Sequence, residues 1–150
     1  RGSVIPSFID QKKKGKIDIT DKKMTRFNIT LEDACKFVIK ISSIMKGGEI
    51  FIPKLKSFKV IDLANSITSK ENIVYTGKRR GEKIHESMFT KDECDKIYEY
   101  NKYYVMFDSV DNRKLNKLKN FKIKKSFNYS SNNTNSFISK NLLKKLFESI

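Results

Sequence analysis

The residues best suited to chemistry stand in one short run, Gly77-Lys78-Arg79-Arg80-Gly81-Glu82-Lys83, where turn glycines flank several cations and one carboxylate. A guanidinium offers a planar fork of donors that matches phosphate oxygens, and a nearby carboxylate can accept hydrogen bonds from the vicinal hydroxyls of a ribose. Together they would clamp a nucleotide diphosphate. Spacing alone favours a plainer alternative, a solvated basic turn. A second cation, Arg26 in Met24-Thr25-Arg26-Phe27, lies between apolar residues at the head of a predicted strand. Such an arginine is either held at a cleft edge or snorkels over a core, and the sequence leaves both open. His85-Glu86 could suggest acid–base work, but no Ser or Cys nucleophile is arranged around it, so no catalytic residue is assigned. Cys35 and Cys94 have no CxxC spacing and His85 is the only histidine, so no metal site is expected.

The elements that must position these residues read as an α/β pattern. Residues 3 to 14 have helical character with Ser3 as a candidate cap and Gly15 as the stop. Ile17-Asp18-Ile19-Thr20 alternates as a strand, Asp21-Lys22-Lys23 turns, and Arg26-Phe27-Asn28-Ile29 reads as the returning strand of a hairpin. Thr30 with Asp33 resembles a capping box, and Ala34, Phe37, Val38, Ile41, Ile44 and Met45 keep helical spacing as far as Gly47-Gly48. Then come a strand Glu49–Pro53, a short helix over 61–67 and a strand over 72–75, an order that implies α/β layering. Thr90 and Glu93 form a second capping-box candidate, after which 97–100 and 103–107 pair as strands. Periodicity fades beyond Asp108, in a stretch rich in Lys, Asn and Ser that reads as an extended tail laid over the surface. Ser139 caps a last amphipathic helix bearing Leu142, Leu143, Leu146, Phe147 and Ile150 on one face. The expected organisation is therefore 1–107, a tail over 108–138, and a helix over 139–150.

Composition bounds the partners. The 150 residues carry 32 Lys+Arg against 17 Asp+Glu, a formal charge of +15, which draws anions of any kind. The basic runs Lys12-Lys13-Lys14, Lys122-Ile123-Lys124-Lys125 and Lys144-Lys145 are scattered and accompany no helix-turn-helix, RNP signature or zinc finger. A small basic nucleic-acid-binding module is thus the lesser alternative, and the leading expectation is no nucleic acid. Two distant cysteines suit a reducing, cytoplasmic compartment. With no apolar run near the ~20 residues of a membrane span, no membrane partner is expected. No GxGxxG, P-loop or Tyr-x-x-x-Lys pair occurs, so neither a dinucleotide site nor that acid–base pair can be built from these residues. The chain also opens on Arg1-Gly2-Ser3 without a methionine, and is read as entered mid-domain.

The ordered series Arg1-Gly2-Ser3-Val4-Ile5-Pro6, Met24-Thr25-Arg26-Phe27, Gly48-Glu49-Ile50-Phe51-Ile52-Pro53-Lys54, Asp62-Leu63-Ala64, Gly81-Glu82-Lys83 with His85-Glu86, and Tyr129-Ser130-Ser131-Asn132-Asn133 resembles the carboxy-terminal half of inverting UDP-N-acetylglucosamine 4,6-dehydratases. Those are extended short-chain dehydrogenase/reductases, and capsule or lipopolysaccharide proteins labelled UDP-glucose 4-epimerase share much of the pattern. The resemblance implies the last part of a Rossmann-type fold with its small substrate-binding subdomain. It implies a UDP-sugar substrate gripped by Ser3, Val4 and Ile5 at the uridine, Arg26 and Arg79 at the diphosphate and Glu82 at the ribose. NADP and the catalytic residues would belong to an amino-terminal Rossmann portion preceding Arg1, so this segment alone is expected to bind no cofactor and to be inactive. The full enzyme is expected to be a lyase and a homo-oligomer, on the route to pseudaminic acid and flagellin glycosylation. Arg80 stands where the family commonly has Pro, and residues 108–126 match poorly.

Overall fold

The computed structural model describes residues 4–107, 126–134 and 136–148. Helix α1 (Val4–Lys13) runs to Gly15, whose φ of +85° stops it, and delivers the chain to strand β1 (Ile17–Ile19). Ile17 and Ile19 are fully buried while Asp18 between them is exposed, the alternation expected of a half-buried strand. Strand β2 (Thr25–Asn28) does not return along β1. The predicted hairpin is a correction: β1 pairs in parallel with β5 (Ile73–Tyr75), and β2 pairs antiparallel with β4 (Lys56–Lys59), Arg26 opposite Phe58. The turn between them has none of the glycines that a tight hairpin needs. Instead Asp21 accepts from the Lys23 N–H at 2.6 Å and folds the chain away from β1.

Helix α2 (Leu31–Ser42) is capped by Thr30, whose hydroxyl accepts from the Asp33 N–H at 3.0 Å. It stops short of the predicted glycines. The hydroxyls of Ser42 and Ser43 donate to the carbonyls of Ile39 and Lys40, an alternative to the helical ladder, and the Ile44 and Met45 N–H groups both fold back onto the Ile41 carbonyl. Ile41 is its only buried residue, whereas Leu31, Val38 and Ile39 are 82%, 64% and 70% exposed.

The remaining strands are β3 (Glu49–Pro53), β6 (Ser87–Phe89), β7 (Ile97–Glu99), β8 (Tyr103–Phe107) and β9 (Tyr129–Ser130). Strands β3, β8 and β7 make one antiparallel sheet in that order, and β6 pairs with β9. Helices α3 (Val60–Ile67) and α4 (Lys140–Glu148) pack on each other. Ser139 caps α4 through the Leu142 N–H at 3.4 Å; Leu143 is buried and Leu142 exposed, while Ile150 lies outside the described residues.

Two cores result. Phe8, Ile17, Ile19, Phe58, Leu63, Ala64 and Leu143 form the first, between α1, α3, α4 and the β1–β5 pair. The second gathers Ile52, Phe89, Cys94, Ile97, Tyr104 and Tyr129, where the rings of Phe89, Tyr104 and Tyr129 stand 5.2–5.5 Å apart. Residues 126–134, read from the sequence as surface-laid, are extended but woven in: Tyr129 is 4% exposed, Ser131 is fully buried, and the Tyr129 hydroxyl accepts from the Leu55 N–H at 2.6 Å. No helix among the described residues is long and apolar enough to cross a membrane.

Candidate nucleotide cleft

Strand β5 hands the chain to the cationic turn at Thr76, whose N–H prolongs the β1 pairing by donating to the Ile19 carbonyl. Gly77 and Gly81 adopt φ of +80° and +78°, conformations that strain any residue with a Cβ. Directly after Gly81, Glu82 closes the turn on itself. Its carboxylate accepts from the Arg79 N–H at 3.2 Å through one oxygen, and its own N–H donates to the Arg79 carbonyl at 3.1 Å. The second carboxylate oxygen keeps no partner among the described residues.

Beyond the turn the chain runs back along β2, where the Thr25 N–H donates to the Ile84 carbonyl at 3.0 Å. Arg26 is held in that junction. Its Nη1 donates to the carbonyls of Thr25 (2.8 Å) and Ile84 (3.1 Å), its Nη2 lies 3.1 Å from the Met24 sulfur, and its Nε is 3.7 Å from Glu86. The side chain is 21% exposed, so this is an arginine at a cleft wall rather than one draped over the surface.

A cleft of about 250 Å³ brings the sequence-predicted residues together: Val4, Arg26, Arg79 and Glu82 line it, with Ser7, Asp18, Thr20 and Met24. An adjoining cleft of about 220 Å³ shares Val4 and Arg26 and adds Ile5, Phe27, Asn28, Ile29, Phe58 and Glu86. Arg26 thus stands where the two clefts meet. Ser3 lies outside the described residues, and Arg80 lines neither cleft. A larger cleft of about 800 Å³, near Lys54, Tyr104 and Tyr129, contains none of the predicted residues.

Thr25, His85, Glu86 and Ser131 were missed as parts of one site. Glu86 accepts from the Phe27 N–H at 2.9 Å, and the Ser131 hydroxyl bonds both the Glu86 N–H (2.9 Å) and the Thr25 hydroxyl (2.6 Å). His85 Nδ1 is 2.8 Å from that same Thr25 hydroxyl. Only the adjacency of His85 and Glu86 hinted at a role, because Ser131 reaches Thr25 across 106 residues of sequence. Chemically the clefts offer anion-binding donors and a hydroxyl acceptor. Among the described residues no group of three or more His, Cys, Asp or Glu side chains could hold a metal. None of the positive-φ glycines, Gly15, Gly47, Gly48, Gly77 or Gly81, opens a helix, so the described residues do not fit the strand-to-helix cradle of a dinucleotide.

A family model described as Polysaccharide biosynthesis protein matches residues 1–108. The chain belongs to that family. Within or near it, the chain is 43% identical over 143 residues to the inverting UDP-N-acetylglucosamine 4,6-dehydratase of Campylobacter jejuni subsp. jejuni serotype O:2, covering 89% of this chain and 43% of that relative. It is 35% identical over 144 residues to the UDP-glucose 4-epimerase of Rickettsia canadensis, covering 89% and 42%. The X-ray structure of Pen from Bacillus thuringiensis matches with a TM-score of 0.79 at 33% identity, over 99% of this chain and 45% of that one. The α/β class expected from the sequence is therefore the observed one, shared with a solved polypeptide. The chain spans less than half the length of the relatives it matches.

Proposed function

We propose that this family member supplies the substrate grip of an inverting UDP-N-acetylglucosamine 4,6-dehydratase, a lyase of pseudaminic acid or other surface-glycan biosynthesis that works in the cytoplasm. The observation that carries the reading is the shared cleft: Arg26, Arg79, Glu82 and Val4, far apart in sequence, line one cavity. The two guanidinium groups suit the diphosphate, the free oxygen of Glu82 suits the ribose hydroxyls, and the apolar wall of Val4 and Ile5 suits the uracil face. Ser3 joins that wall in this reading. NADP would supply the hydride chemistry, held by residues other than those present here. What this chain contributes is remote binding energy: gripping the nucleotide orients the hexose for reaction elsewhere. The dehydratase is preferred to the epimerase because the dehydratase relative is the more similar, 43% against 35%.

Calorimetric titration of the purified chain with UDP-N-acetylglucosamine, UMP, inorganic phosphate and duplex DNA tests this. Expected are a clear preference for the diphosphate nucleotide, roughly tenfold or more weaker binding in Arg79→Ala, and weakening in Glu82→Gln. No turnover by the chain alone is expected. Equal affinity for phosphate, or salt-steep DNA binding without a nucleotide preference, overturns the proposal in favour of a general basic surface.

A further inference from the structure

The geometry assigns to Glu86 the part of a positioning residue for Arg26, an assignment that rests on the nucleotide reading above. An arginine beside a phosphate is useful only if a free N–H faces the ligand, and a long side chain left to itself samples many rotamers. Arg26 is not left to itself. Two backbone carbonyls take both hydrogens of Nη1, so two of the five N–H groups are committed, and Nε is held in an ion-pair contact with the Glu86 carboxylate at 3.7 Å. With Nη2 against Met24, which also lines the 250 Å³ cleft, one Nη2 hydrogen has no partner among the described residues and is the donor left for a phosphate oxygen.

Glu86 is itself fixed at three points. One carboxylate oxygen accepts from the Phe27 N–H at 2.9 Å, its N–H donates to the Ser131 hydroxyl at 2.9 Å, and its carbonyl accepts from the Ser131 N–H at 2.8 Å. Ser131 in turn bonds the Thr25 hydroxyl, and that hydroxyl meets His85. The residue before Arg26 and the residue after it are thereby tied to the segment that carries Glu86. The carboxylate also lines the adjoining 220 Å³ cleft, which has no arginine besides Arg26, whereas the 250 Å³ cleft has both Arg26 and Arg79.

A double-mutant cycle on the purified chain, read as UDP affinity, tests the assignment. Glu86→Ala is expected to weaken UDP binding by roughly three- to tenfold, and Glu86→Gln, which keeps the acceptor for Phe27 but not the charge, by less. The same Glu86 substitutions are expected to have no further effect when Arg26 is already alanine, yet to add fully to Arg79→Ala. A merely structural role would add in both backgrounds. Should Arg26→Ala leave UDP affinity unchanged, the nucleotide reading itself fails. Should Arg26→Ala weaken binding while Glu86→Ala and Glu86→Gln do not, or should their effects persist without Arg26, the positioning role fails and the nucleotide reading stands.

Discussion

Tyr104 shows what a single side chain carries in this molecule. Its ring closes the aromatic cluster with Phe89 and Tyr129, and its phenol is pushed up from 10.0 to about 12, first by burial and then by the nearby charge of Glu99 and by Tyr129. A released chain gives up that proton near pH 10.0 while the folded one keeps it to about 12, so the folded state binds more protons in between. Stability present below pH 10.0 is accordingly lost as the pH rises through that window. Denaturation midpoints at a series of alkaline pH values should show the decline, and Tyr104→Phe should make it shallower. At the same scale, the turn that carries Arg79 and Glu82 was legible because two glycines and a carboxylate one residue past the second are local chemistry, but spacing alone favoured a solvated basic turn and only the family resemblance singled out the two side chains. Glu86 and Ser131 were not, because nothing local marks a serine in a polar stretch as the buried partner of Thr25.

Elements divide in the same way. Helices α2, α3 and α4 and the capping box of Thr90 with Glu93 were readable, since caps and periodicity live within a few residues of each other. That box also holds the Glu93 carboxyl below its ordinary range through the Thr90 N–H and hydroxyl. Pairing was less readable, because β1 has two candidate neighbours and only the fold selects β5 over β2. The two kinds of helix face give opposite expectations. Leu63 of α3 is fully buried, so Leu63→Ala should cost about 2–5 kcal/mol in urea unfolding. Val38 and Ile39 of α2 face solvent, so Val38→Lys or Ile39→Lys should stay within about 0.5 kcal/mol of the parent. Such lysines should also lower dye binding to exposed apolar surface, because α2 presents that surface without cover among the described residues.

Across the whole molecule the clefts sit where the first core, the β2–β4 ladder and the segment after β5 converge, with one long-range fastening. Ser131 closes the Thr25–Glu86 junction from beyond the last residue matched by the family model, residue 108. That fastening sets an order of events during synthesis. At ~5–20 residues per second a nascent chain has made Arg26, Arg79 and Glu82 seconds before residue 131 leaves the ribosome. Through that interval the grip has all its fingers and no clasp. Ser131→Ala, which removes the clasp and leaves both cores their residues, should therefore keep the fold, by far-UV circular dichroism, and yet hold UDP more weakly than the parent chain.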